Sequence, residues 1–263
     1  MAQAEFKVNV KVGADGVGEM QWDDPPDADT LRRGVSLAAD DALMAHGLRR
    51  LEINLRTDDR IGRRAVHAAG FRLEGIKRRY VRIDGEEVDV ALYARLAEDI
   101  VYGERGFTSV MDSVLPTKRL IAHALLRDES GRLLYLSTNY KNDWELPGGV
   151  AERGESPRTA AEREVAEELG IEVPLSRVLV VDWLPPYQGW SDAIEFIFDG
   201  GVLTPAQVES IRLQQSEITD LHWTDVEEAS GHLQPAIAER LRIAVAAIDG
   251  SDPVPTEAGR PLA

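Results

Sequence analysis

Gly149–Ile171 reads GVAERGESPRTAAEREVAEELGI, and the reading of the chain starts from this stretch. Ser156-Pro157 predicts a helix start, since serine is a good N-cap and proline at the first helical position gives up no needed N–H. Gly170 predicts its stop. On the helix between them, Glu164, Glu167 and Glu168 stand at i, i+3 and i+4 and so share a face. Ala161, Val165 and Leu169 form a neighbouring apolar stripe suited to docking on a sheet. Each like-charge pair at this spacing costs roughly 0.2–0.5 kcal/mol on an exposed helix. A hard dication, Mg2+ or Mn2+, would turn that repulsion into ligation, because it takes several oxygen ligands at once. A solvated acidic face is the plainer reading of EREVAEE alone. The preceding WELPGG, Trp144–Gly149, weighs against it. There an aliphatic strand end runs into Pro-Gly-Gly, which turns the backbone tightly and can offer a bare carbonyl to a cation.

The stretch fits G-x5-E-x7-R-E-U-x-E-E-x-G-U, with U a bulky aliphatic, at Gly149, Glu155, Arg163, Glu164, Val165, Glu167, Glu168, Gly170 and Ile171. In this it resembles the signature box of the Nudix hydrolases, which generally cleave a diphosphate linked to another moiety with the help of divalent metal. The resemblance implies that Glu164, Glu167 and Glu168 bind Mg2+ or Mn2+, with Glu164 also a candidate general base. Arg163 would hold the carboxylates in place, Glu155 would add a ligand or anchor the loop, and the Gly148 carbonyl would be a further ligand. Several family members recruit one more carboxylate from a distant loop. Here Glu217, just before the strand Leu221-His222-Trp223, is the candidate, against the plainer reading of a surface acid.

Hydropathy extends this domain on both sides. Arg119–Leu126 and Arg132–Leu136 read as strands around the turn Asp128-Glu129-Ser130-Gly131, as do Val178–Trp183 and Ile194–Phe198. Pro205–Leu213 and Pro235–Ile248 read as helices. The expected fold is an α/β Nudix sandwich of helices around a mixed sheet, over residues 115–249. A linker is expected over 99–114 and a disordered tail over 250–263. Trp183, Tyr187 and Trp190, around Pro185-Pro186, are candidate substrate-stacking residues, competing with a reading of Trp183 as core and the others as loop aromatics. Trp144, His123 and His222 read as packing residues.

Residues 1–98 follow a different order: strand, helix, strand, helix, hairpin. The string GLRRLEINLRTDDRIGRRAVHAAGFRLEG with the closing DVALYARL resembles the C-terminal half of the GNAT acetyltransferases, over about residues 17–97. That family's glycine-rich pyrophosphate turn would fall on Asp27-Ala28-Asp29-Thr30, which would set like charge against phosphate. The segment therefore reads as an acidic loop capping the following helix, and the domain as a partial, non-catalytic GNAT-like unit. A truncated sheet leaves an edge or an apolar face, from which a homodimer is expected.

Composition bounds the partners. Among 263 residues, 46 Asp and Glu against 30 Lys and Arg give a formal charge of −16. That argues against a long nucleic acid, whose phosphates demand a basic surface. A small nucleotide-like diphosphate remains suited. There is no cysteine, hence no disulfide framework, and the diphosphate isomerase branch, which commonly relies on cysteine, is disfavoured. No run of about 20 apolar residues is present, and MAQAEFKVNV has no signal-peptide core, so a cytoplasmic location is expected. The function expected is a metal-dependent diphosphate hydrolase, with a non-hydrolytic nucleotide-binding protein and an N-acetyltransferase as alternatives.

Overall fold

A computed structural model describes residues 6–25, 27–250 and 252–262. Outside them lie residues 1–5 of the leading segment, Pro26 of the acidic loop, and Ser251 and Ala263 of the tail. The chain divides into two compact units at Pro116/Thr117.

The first unit is built on a five-stranded sheet in the order β1-β2-β3-β5-β4. Its strands are β1 (Val8–Val12), β2 (Val17–Trp22), β3 (Arg50–Arg56), β4 (Arg72–Ile83) and β5 (Glu86–Leu96), with helices α1 (Ala28–Asp40) and α2 (Arg60–Ala68). Alternation along β3 turns Leu51, Ile53 and Leu55 inward, where they meet Leu31 and Val35 of α1 and Val66 of α2. Two strands precede α1 where one was expected. The Asp27 side chain caps α1, accepting from the Thr30 N–H at 2.8 Å and from its hydroxyl at 2.7 Å, as the acidic-loop reading required. Residues 99–114 are not a linker: Gly103–Val114 form helix α3. Ser113 accepts the Leu73 N–H at 3.0 Å, and Val110 and Gly106 are buried, so this helix belongs to the first unit. Its polar residues hide a narrow apolar face.

The second unit has an eight-stranded mixed sheet. Seven strands follow the order β11-β7-β6-β10-β9-β12-β13, and β8 pairs with β6 off that path. The strands are β6 (Arg119–Arg127), β7 (Leu133–Thr138), β8 (Gly148–Val150), β9 (Val178–Leu184), β10 (Ala193–Val202), β11 (Ile218–Thr224), β12 (Val254–Glu257) and β13 (Arg260–Pro261). Helices α4 (Pro157–Leu169) and α7 (Pro235–Ala246) pack on it, with short helices α5 (Pro205–Ser210) and α6 (Val226–Ala229) between strands.

Two hydrophobic cores show why this is a sandwich. One gathers Ala122, Ala124 and Leu126 of β6 with Ala161, Val165 and Leu169 of α4. The other gathers Leu125 of β6 and Tyr135 of β7 with Ala238, Leu241 and Ala244 of α7. Successive residues of one strand thus serve opposite faces. Each fully buried valine or leucine contributes roughly 1.5–3 kcal/mol. The α4 boundaries follow the expected caps: Ser156 accepts the Thr159 N–H, and Gly170 closes the helix at φ 68°.

The expected disordered tail is a correction. Val254–Glu257 run parallel to β9, and Arg260–Pro261 pair back on them. The cause is a buried acid. Asp182 of β9 is fully buried and takes the Thr256 hydroxyl at 2.7 Å and the Gly259 N–H at 3.1 Å. Its remaining partner is Arg240 of α7, whose Nε donates at 2.6 Å. The same guanidinium meets Glu195 of β10 through Nη1 at 2.5 Å. Burial alone would raise the Glu195 pKa, but the charge of Arg240 and the hydrogen bond from His123 hold it below the ordinary carboxylate value.

Arg240→Met would strand two buried acids, and we expect it to lower stability by about 3–5 kcal/mol in a denaturant titration. The contribution of ionised Glu195 is fully present above the ordinary carboxylate pKa and is lost as pH falls through its depressed native value. The deficit of the variant should therefore be constant at neutral pH and shrink only under acid conditions.

Candidate functional site

A cavity of about 580 Å³ opens in the second unit where β8 meets α4. Glu145, Glu164, Glu168 and Glu217 line one part of it, and Ile121, Leu146, Leu184 and Ile237 supply apolar wall. Three regions far apart in sequence therefore deliver acids to one space.

The glycine turn makes this approach physically allowed. Gly148 sits at φ 141°, and a Cβ there would lie 2.3 Å from the Ala122 carbonyl oxygen. Its N–H donates to Glu168 Oε2 at 2.9 Å. At Gly149 a Cβ would fall 2.7 Å from Glu164 Oε1, so the missing side chain is the room that this carboxylate occupies. Arg163 ties the rest together. Its Nε and Nη2 grip Glu155 at 3.0 and 3.1 Å, and its Nη1 donates to Glu164 at 3.0 Å and Glu167 at 3.2 Å. Glu155 also accepts the Glu152 N–H at 2.9 Å, which fastens the loop before α4.

The electrostatics are adverse. Burial pushes the Glu168 carboxyl up to about 8, and the charges of Glu145, Glu164 and Glu217 add to the rise while the Gly148 N–H opposes it. Glu164 is raised as well, by burial and by Glu167 and Glu217, against the pull of Arg163. Carboxylates crowded together and partly desolvated by burial favour whatever positive charge can join them.

The predicted residues divide accordingly. Glu164, Glu168, Gly148 and Glu217 come together at the cavity. Glu167 is half exposed and held by Arg163, and Glu155 stands behind the same arginine. Of the aromatics, Tyr187 lines the cavity. Trp183 instead borders a smaller recess with Arg260 and Leu262. Trp190 is exposed beneath the Arg119 guanidinium, 4.7 Å from its ring centre. Neither of these two aromatics lines the cavity, although the recess beside Trp183 shares Ala236 and Ala258 with it. Trp144 packs as expected, between His222 and His232 with ring centroids 3.9 and 4.0 Å away.

The residue that sequence reasoning missed is Glu145. It accepts from Tyr140 Oη at 3.0 Å and pairs with Lys141. Its only signal was an acid at an otherwise apolar strand end. His123, read as a packing residue, also lines the cavity, with Glu195, Gln234 and Arg240 nearby on its wall.

The donor set suits a hard dication: carboxylate oxygens on a cavity wall beside a glycine turn. Among the described residues no three acidic or histidine side chains are already arranged as a ligand group. Arg163 takes oxygens of Glu164 and Glu167, and the Gly148 N–H takes one of Glu168.

Known proteins resemble this chain in sequence and in fold. Residues 117–247 match a family model described as NUDIX domain. A MutT-like protein of Streptomyces ambofaciens is 33% identical over 125 residues, which span 48% of this chain and 73% of that protein. Among solved structures, the MutT protein from Methanosarcina mazei Go1 aligns at 25% identity and TM-score 0.42, over 51% of this chain and 96% of that one. The ribosomal-protein-S5-alanine acetyltransferase from Vibrio fischeri aligns with the N-terminal part at 21% identity and TM-score 0.32, over 35% of this chain and 51% of that one.

Gly149→Ala should leave the fold intact, because the atoms nearest its Cβ are those of the movable end of Glu164, yet displace that carboxylate. Hydrolytic turnover should fall roughly 100-fold with an unchanged melting temperature. Gly148→Ala, whose Cβ meets backbone, should instead unfold the unit more easily, by about 1–3 kcal/mol. Turnover and thermal melts on both variants check the contrast.

Proposed function

Because this chain belongs to the Nudix hydrolase family, we propose that its second unit hydrolyses a diphosphate linkage in a small nucleoside diphosphate-X type molecule, by attack of water on phosphorus. The observation that carries this reading is the convergence of Glu164, Glu168 and Glu217 on one cavity beside the Gly148-Gly149 turn.

Nudix hydrolases generally use divalent metal. Glu164 and Glu168 are the residues that would hold Mg2+ or Mn2+, with Glu217 and Glu145 within reach of the same space. When bound, such an ion neutralises the phosphate oxygens and acidifies or orients water. The protein's own groups do the rest. Arg163 keeps Glu164 and Glu167 from swinging apart under their mutual repulsion, and the Gly148 N–H holds one oxygen of Glu168 so that the other is aimed at the cavity. Glu164, half-buried and raised in pKa, is placed to take a proton from the attacking water. Lys141 and Tyr140 at the cavity wall are placed to meet anionic or polar parts of the substrate.

The first unit is proposed as non-catalytic. The position where a GNAT relative would offer bare N–H groups to pyrophosphate is filled by the Asp27 cap, whose carboxyl is held below its ordinary pKa by the Thr30 hydroxyl and N–H.

Phosphate and nucleotide release should be measured over a panel of nucleoside triphosphates, ADP-ribose, nucleotide sugars and dinucleotides, with Mg2+, with Mn2+ and with EDTA. We expect chelator-sensitive turnover of one class, lowered roughly 100-fold or more in Glu168→Gln, and no binding of acetyl-CoA. Turnover indifferent to EDTA, or a fully active Glu168→Gln, would overturn the assignment. Silence across the panel with retained nucleotide binding would favour a regulatory protein.

A further inference from the structure

On the cavity wall, a chain of buried polar groups leads from the proposed catalytic space to the β12–β13 hairpin. His123 Nδ1 lies 2.8 Å from Glu195 Oε1. The other oxygen of Glu195 meets Arg240 Nη1 at 2.5 Å, Arg240 Nε meets Asp182 at 2.6 Å, and Asp182 accepts from Thr256 and Gly259 at 2.7 and 3.1 Å. The Glu195, Arg240 and Asp182 side chains are at most 6% exposed. The other end of His123 differs. Its Nε2 has no hydrogen-bond partner among the described residues, its side chain is 15% exposed, and it lines the cavity beside Gly148.

We propose that His123 is a specificity-determining residue of the hydrolytic site, whose Nε2 accepts a hydrogen bond from an N–H or O–H of the group attached to the diphosphate. This rests on the hydrolytic reading above and adds to it a demand on the substrate.

The chemistry follows from one carboxylate. Glu195 faces a guanidinium and offers only acceptor oxygens, so Nδ1 is the ring nitrogen that carries the proton toward it, and the tautomer proposed is the one with Nε2 unprotonated. Its Nε2 is then left as a lone pair facing the cavity. Carboxylates that orient histidines in this way fix both tautomer and ring direction. Arg240 keeps Glu195 in place, Asp182 keeps Arg240, and the strand pair β12–β13 keeps Asp182. Ala258, in the turn between those strands, itself lines the cavity. The C-terminal segment therefore closes the wall and aims His123 as well. Glu195, Arg240 and Asp182 are positioning residues here.

A substrate lacking the donor would set an apolar group against this lone pair where water could otherwise reach it, so it should be disfavoured. The loss expected is about tenfold, as for one hydrogen bond.

Two measurements on the full chain test this. The first needs no substrate: long-range 1H–15N correlation of histidine-labelled protein, with His123 assigned by its loss in His123→Gln. We expect a single tautomer, protonated at Nδ1 and not at Nε2. That preference should weaken in Glu195→Gln and in Asp182→Asn. Thr256→Val, which removes one hydroxyl remote from the ring, is the milder substitute should Asp182→Asn fail to fold. A mixed tautomer in the parent protein, or a preference untouched by every folded variant, would overturn the aiming. The second compares steady-state kinetics on whichever panel compound is cleaved fastest. His123→Phe, which keeps the ring but no nitrogen, should raise KM about tenfold with a smaller change in kcat, and His123→Gln, which keeps an acceptor, should recover part of that loss. A KM for His123→Phe within about twofold of the parent value would overturn the contact. Should no compound be cleaved, the hydrolytic reading fails by itself, and the spectrum alone decides whether the chain aims His123.

Discussion

Mutual repulsion among Glu145, Glu164, Glu168 and Glu217 is the constraint on which the arrangement of the second unit depends. Each stands on the cavity wall, and burial raises the pKa of both Glu164 and Glu168. A fold that only sought stability would not gather them. The protein holds Glu164 through the Arg163 guanidinium, Glu168 through the Gly148 N–H and Glu145 through Lys141 and Tyr140, and leaves the rest of the charge to whatever enters. Glycine at 148 and 149 is the geometric counterpart of that electrostatic demand. One residue lets β8 run against the β6 backbone, and the other leaves the volume taken by a carboxylate.

A second polar system sits on another part of the same wall and obeys the opposite rule. The Asp182–Arg240–Glu195 chain is internally paired, with one cation shared between two acids and hydrogen bonds from Thr256 and Gly259 completing the set. Removing one member is costly because buried charge would be left without a partner. The crowded acids invite an ion, whereas the paired chain gives rigidity. Their meeting at His123 and Gly148, which are paired across β6 and β8, places a polar group beside the proposed reaction centre.

What was legible in the sequence was local. The α4 helix announced itself through Ser156-Pro157, its apolar stripe and Gly170, all within one segment, and each has the role read from it. The strands β6, β7, β9 and β10 followed from short apolar runs. Glu217 was harder, since it reaches the cavity only through the pairing of β11 with β7, and its position before a strand was the whole signal. The rest was not legible for a definite reason. His123 finds Glu195 across 72 positions, and Arg240 finds Asp182 across 58. An isolated polar residue in a strand cannot reveal such a partner. The same distance hid β12 and β13: GSDPVPTEAGRPLA is rich in turn formers, and it is the pairing with β9 and the bonds to buried Asp182, both remote in sequence, that seat these strands. Residues 99–114 read as a linker because α3 buries a face of few residues, while Trp183, Tyr187 and Trp190 are neighbours in sequence but do not share one cavity.

These carboxylates are proposed as a divalent-cation site within a hydrolase. Binding of Mn2+ to the full chain, followed by electron paramagnetic resonance and compared with Glu168→Gln at equal folded fraction, tests it most directly. The account predicts saturable binding that Mg2+ competes away and that the variant loses or weakens at least about tenfold. Equal Mn2+ affinity in the two proteins would contradict it.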